Sequence, residues 1–221
     1  GYLGVPVLLI NKPGGGGSVA PLYVAKSKPD GYTLLIATAT TMVIIPTIRS
    51  VGYRRTDFDL FALYGAEPLA LVVKGDAPWK TLQELIEDAK KNPGKLKFST
   101  PGAGSSSHFS MELFKIVAGG LKIDHVPYKS GVEAVASILG GHVHVGSLYM
   151  MDIKGAVEAG RLRMLAVSTE KRLDDYPNIP TFAESGYPEV KWTVWYGIAA
   201  PSGVPKEISD KPGKDSMGME M

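Results

Sequence analysis

The sequence predicts an α/β fold built from parallel βαβ units, and three observations carry that prediction. Short apolar runs alternate along the chain with longer stretches whose apolar residues keep helical spacing. A glycine- and serine-rich loop twice separates such a run from the helix after it, at Gly14 to Ser18 and at Thr100 to Ser107. The composition, 44% hydrophobic and 21% charged over 221 residues, suits a soluble core large enough for one α/β domain or two smaller ones.

Taken in order, Val5 to Ile10 reads as a buried parallel strand ending at the glycine loop. Val19, Leu22, Tyr23 and Lys26 follow at helical spacing, Pro21 being tolerated in a first turn. Lys28 to Gly31 is a turn and Thr33 to Ala37 a second strand. Leu60 to Tyr64 and Leu69 to Lys74 read as two further strands. Thr81-Leu82-Gln83-Glu84 is a capping box opening a helix lined by Leu82, Leu85, Ile86 and Ala89 and stopped at Asn92-Pro93-Gly94.

Leu96 to Ser99 is the strand entering the second loop. The helix behind that loop is expected to bury Phe109, Leu113, Ile116 and Val117. Ile123 to Val126, Val143 to Gly146 and Arg163 to Val167 continue as strands. The helices between them are expected to be lined by Val132, Val135, Ala136 and Leu139, and to span Met151 to Ala159. Pro177 to Pro180 is a turn and Val190 to Ala199 a last strand. Beyond Pro205 apolar periodicity stops, and 209–221 is expected to be a disordered tail.

Several functions are disfavoured at this level. A formal net charge of +2 with no basic cluster argues against nucleic acid. The absence of cysteine removes disulfides, thiolate metal sites and cysteine nucleophiles. No apolar run reaches the roughly 18 residues of a membrane span.

The two loops carry the chemistry. Amide groups at a helix start, with the positive end of the helix dipole, favour an anion. Glycines admit it closely, and Ser18 or Ser105, Ser106 and Ser107 add hydroxyl donors or caps. Gly15, Gly17 and Ala20 fit the dinucleotide pattern, but the next strand ends in Ala37-Thr38-Ala39-Thr40 without the acid that fold requires, and neither loop has a P-loop lysine. A nucleotide- or phosphate-binding enzyme stays as the alternative. A helix cap with no ligand is the plain reading of either loop alone. Ser107-His108 is not a nucleophile–base pair, because neighbours at a helix start diverge. His142 and His144 alternate on a predicted strand and would share a face, where a metal is conceivable, but no acidic partner stands at ligand spacing. Asp57 and Asp59 flank a strand start, and Trp192, Trp195 and Tyr196 read as packing residues.

Asn11-Lys12-Pro13-Gly14-Gly15-Gly16-Gly17, with Ala25-Lys26 and Pro29 to Leu34, resembles the substrate-binding proteins of tripartite tricarboxylate transporters, the TctC or Bug (Bordetella uptake gene) family. Asp57-Phe58, Asn92 to Lys95, Gly102 to His108, Val126 to Lys129, Gly140-Gly141, Ala159 to Val167, Ile179 to Gly186 and Ala200 to Gly203 match in the same order. The resemblance covers about residues 5 to 208. It implies a type II periplasmic-binding-protein fold, or Venus flytrap, of two α/β lobes joined by two crossing strands. Lobe one is then 1–74 plus 194–208, and lobe two 75–193. It also implies an extracytoplasmic, periplasmic receptor, monomeric, without enzymatic activity or cofactor, that passes a small carboxylate to a membrane permease. Di- and tricarboxylates, acidic amino acids and aromatic acids are the ligand classes.

The implied ligand-binding residues are Gly15, Gly16, Gly17, Ser18, Thr38 and Thr40 from lobe one. Those from lobe two are Thr100, Gly102, Ala103, Gly104, Ser105, Ser106, Ser107, Tyr128 and Ser147. Family members carry a further strand and loop ahead of this sequence and helices after it, so the chain reads as truncated at both ends, and an inactive remnant is a third reading. His144 stands where the family usually has aspartate.

Overall fold

The computed structural model describes residues 5–12 and 14–209. They divide between two compact units, one drawn from 1–65 and 196–221 and the other from 66–195, and the divisions fall inside two strands, β2 (Phe58–Lys74) and β7 (Thr193–Pro201).

Unit two is a three-layer α/β sandwich. Its sheet runs β2, β5 (Val145–Tyr149), β3 (Leu96–Thr100), β4 (Ile123–Pro127), with β6 (Leu162–Val167) on the other side of β2. β3 is parallel to both β4 and β5, whereas β2 runs antiparallel to β5 and β6. The expected all-parallel arrangement is therefore corrected to a mixed sheet.

Alternation along β2 builds two cores. Leu71 and Val73 face α3 (Leu82–Lys91) and α4 (Ser106–Val117), and Ala70 and Val72 face α5 (Gly131–Leu139) and α6 (Met150–Glu158). On the first face Phe114 lies 5.2 Å from Phe182 and 5.4 Å from Tyr187 between ring centroids.

Helix α3 begins as the capping motif predicts, with one change. The Glu84 N–H donates to Thr81 Oγ1 at 3.2 Å, but the Glu84 carboxylate takes the N–H of Lys80, at 2.6 Å, instead of that of Thr81.

Unit one holds α1 (Val19–Ala25), β1 (Leu35–Thr38), α2 (Ile45–Ile48) and, after β7, α7 (Lys206–Ser209). β1 pairs antiparallel with β7, which lies beside β2. Asp57 and Asp59 frame the start of β2: Asp57 accepts the Arg54 N–H at 2.8 Å and Asp59 the Gly203 N–H at 2.8 Å.

Four expectations about elements are corrected. Val5 to Ile10 forms no strand, and its apolar side chains, Pro6 aside, are 60% to 81% exposed. An apolar run becomes a buried strand only where a sheet edge and a covering helix receive it, and no described strand ladders with this one. The two strands expected at 60–64 and 69–74 are one, because Pro68 stands just before the ladder with β5 begins at Leu69, where its missing N–H costs nothing.

The fully buried face of α4 is Ser106, Ser107, Ser110, Met111 and Phe114; of the expected residues Leu113 and Val117 pack partly buried beside it, and Ile116 points outward. That of α5 is Gly131, Ala134, Ser137 and Ile138, with Val132 outward. Small residues prevail there because both helices approach the sheet closely. Of the expected tail, only Ser209 lies among the described residues.

Candidate ligand-binding site

Strands β5, β3 and β4 are adjacent and parallel, so the helices that follow them, α6, α4 and α5, all begin at one end of the unit-two sheet. Three positive helix ends therefore meet where the Thr100 to Ser107 loop emerges. The structure brings the implied lobe-two residues together here. The Tyr128 N–H donates to Thr100 O at 3.0 Å, and the Ser107 hydroxyl donates to the carbonyl of Ser147.

Three amides of this loop are already engaged, which corrects the expectation of an open row of donors. Gly102 N–H donates to Thr100 Oγ1 at 3.4 Å, Ser105 N–H to Gly102 O at 3.3 Å, and Gly104 N–H to Nδ1 of His108 at 3.2 Å. The Ser105 hydroxyl caps α4 by accepting the His108 N–H at 3.2 Å while donating to Gly102 O at 2.8 Å. Thr100, Ser106, Ser107 and Ser147 are buried, so Gly102 to Ser105, with Ala103 exposed at the tip, form the accessible part.

Three residues not singled out from the sequence adjoin the start of α6. Glu67 on β2 accepts the Met151 N–H at 2.8 Å. Burial, and then Glu67, raise the carboxyl pKa of Asp152. Burial, then Glu67 and Asp152, push the Tyr149 hydroxyl up to about 12, while the Ser107 N–H that donates to it pulls the other way. An Asp152 three places after the end of β5 is the sequence signal that could have flagged them.

In unit one, Gly14, Gly15 and Gly17 adopt φ of 115°, 55° and 94°, a region open to glycine, and wrap a tight turn in which Gly17 N–H donates to Gly14 O at 3.0 Å. Ser18 does not cap α1: its hydroxyl donates to Gly15 O at 2.9 Å, because the residue is already helical, with φ −90° and ψ −13°. Arg49, another residue not foreseen, donates to the same carbonyl. Thr38 N–H donates to Thr41 Oγ1 at 3.1 Å and Thr41 N–H returns to Thr38 Oγ1 at 3.2 Å, a reciprocal clasp at the end of β1 leading into the turn containing Thr40.

The histidine pair 142 and 144 does not share a strand face. Both precede β5, and His144 Nδ1 accepts the Lys97 N–H at 3.1 Å, as an aspartate there could. Among the described residues no group of three potential metal ligands occurs, and no helix is long and apolar enough to cross a membrane.

Similar proteins place this arrangement. BugT of Bordetella pertussis is 34% identical over 209 residues, 93% of this chain and 64% of that protein. R. palustris Rpa4515, solved with adipate, is 34% identical with a TM-score of 0.81, over 91% of this chain and 68% of that one. MatC from Rhodopseudomonas palustris, solved with bound malate, is 26% identical with a TM-score of 0.79, over 90% and 68%. The chain spans less than two thirds of the length of the curated relatives it matches, for instance 65% and 63%. The fold is that of the type II periplasmic binding proteins. Residues 1–217 match the tripartite tricarboxylate transporter family receptor (TctC), and the chain belongs to that family.

Proposed function

We propose that this chain is the larger part of a periplasmic receptor, not an enzyme, which captures a small dicarboxylate for the permease of a tripartite tricarboxylate transporter. The observation that carries the reading is the convergence of three helix starts on the loop from Gly102 to Ser105. The helix dipoles act there whether or not individual amides are engaged. The relatives solved with adipate and malate support the ligand class. The proposed contact set is Thr100, Gly102, Ala103, Gly104, Ser105, Ser106, Ser107, Tyr128 and Ser147. The buried members act by holding the loop. Gly15, Gly16, Gly17, Ser18, Thr38 and Thr40 are proposed as a separate contact set of unit one.

Glu67 and Asp152 narrow the class. Like charges repel, so each added ligand carboxylate that approaches these two acids is penalised. Malate and adipate should therefore bind more tightly than citrate.

Thermal unfolding with malate, adipate, citrate, glutamate, benzoate and ATP tests the reading. A ligand at about 100 times its dissociation constant adds about 2.7 kcal/mol, a shift of several degrees. A shift with ATP and none with any carboxylate would establish the nucleotide alternative instead. Ala103→Asp places a negative charge on the exposed tip and is expected to reduce carboxylate affinity at least tenfold with the melting temperature unchanged. A buried position such as Ser106 would confound binding with unfolding.

A further inference from the structure

Three rings stack behind the loop. In the β3–β4 register Phe98 stands opposite His125, and their ring centroids lie 4.7 Å apart. His108, in the first turn of α4, covers His125 at 3.9 Å with the planes 13° apart. Each imidazole is bonded to the loop. His125 Nε2 is 2.7 Å from Thr100 Oγ1, which lies 3.1 Å from Gly102 O. His108 Nδ1 accepts the Gly104 N–H, so its proton sits on Nε2, 3.7 Å from Glu112 Oε1. A proton added to His108 must go to Nδ1, where it faces the Gly104 N–H and ends that bond.

We propose that His108 and His125 are positioning residues of the loop, held neutral, and that acidification frees the Gly104 N–H and strengthens the loop's hold on a carboxylate. The proposal rests on reading the loop as the carboxylate contact. The charged groups facing the stack come from α4, where Lys115 bonds Glu112 at 2.7 Å and lies 5.2 Å over Phe98; β4 contributes His125 itself, and β3 presents only Phe98 and Thr100.

Burial lowers the His108 pKa, with Glu112 opposing and Lys115 reinforcing. Burial, and then His108, lower that of His125 to about 4. Both shifts favour the neutral rings. The His108–Gly104 bond is therefore fully present above the ordinary histidine range, about 6.5, and is lost as pH falls below it through the lowered pKa of His108.

The test is an NMR titration of the free protein from pH 7 to pH 4, repeated with His108→Asn, whose Oδ1 can accept the same N–H without titrating. Intrinsic exchange rates are corrected for pH. Gly104 amide protection is expected to fall at least tenfold in step with the His108 ring signals, and to stay constant in the variant. Malate affinity is then measured at pH 7 and pH 5 for both proteins. Malate itself takes up protons in this range, so the readout is the affinity ratio of variant to wild type, which should fall at least fivefold at pH 5.

Gly104 protection unchanged while His108 titrates would overturn the proposal, even if the variant failed to fold. So would a parallel change of malate affinity in both proteins. A Gly104 response in a protein that binds no carboxylate at neutral pH supports the strut and instead removes the ligand assigned to the loop.

Discussion

Replacing Phe114 by alanine is expected to lower the unfolding free energy of unit two by about 3–5 kcal/mol, the range for emptying a buried aromatic site. Phe114 is fully buried on α4, with Phe182 and Tyr187 against its ring and Met111 one turn away in the same core. Those neighbours come from segments far apart in sequence, so the cavity cannot close by one local shift. The residue sits on the helix whose first turn carries the candidate loop, so carboxylate affinity should fall as well. Phe114→Leu, which keeps most of the volume, should lose less than half as much. Urea unfolding of the three proteins, followed by near-ultraviolet circular dichroism, checks the order.

Gly75→Ala should be nearly as damaging although it adds a single methyl. A Cβ at Gly75 would lie 2.1 Å from Gly160 O and 3.2 Å from the Arg161 carbonyl carbon and oxygen, all main-chain atoms unable to swing away. The backbone is pinned on both sides, by Gly75 N–H to Arg161 O at 2.7 Å and by the Arg163 guanidinium to Gly75 O at 2.6 Å. A loss of about 3 kcal/mol is expected. Gly155→Ala is the control: it lies in α6 with nothing within 4 Å of its would-be Cβ, and should gain about 0.5–1 kcal/mol. Equal effects of the two substitutions in the same urea series would show that the close approach at Gly75 is relieved at low cost.

The sequence disclosed the order of elements better than their faces. The stop at Asn92-Pro93-Gly94 was legible because its mechanism is local: Gly94 adopts φ 76° just past the helix. The faces of α4 and α5 were legible only in part: Leu113, Val117, Val135 and Leu139 do pack against the cores, but the fully buried stripe is rich in serine, glycine and alanine, which apolar spacing does not register. The antiparallel course of β2 was hidden for a similar reason, since a strand buried on both faces looks alike in either direction.

The candidate loop stood out through its glycines and serines, but its internal hydrogen bonding did not, nor did the stacking of His108 on His125 behind it. His108 and His125 are 17 positions apart, and only the β3–β4 register and the crossing of α4 bring them to 3.9 Å.

The uncovered run at Val5 to Ile10 has a practical consequence for anyone preparing this polypeptide. Apolar side chains lying open in sequence are a sticky strip, and a formal charge of +2 supplies little repulsion between molecules. Light scattering of the purified chain should rise with concentration. Leu8→Lys with Ile10→Lys should suppress that rise and leave the unfolding transition of unit two where it was. Colloidal behaviour and conformational stability would then be separate properties of this molecule, set by different stretches of it.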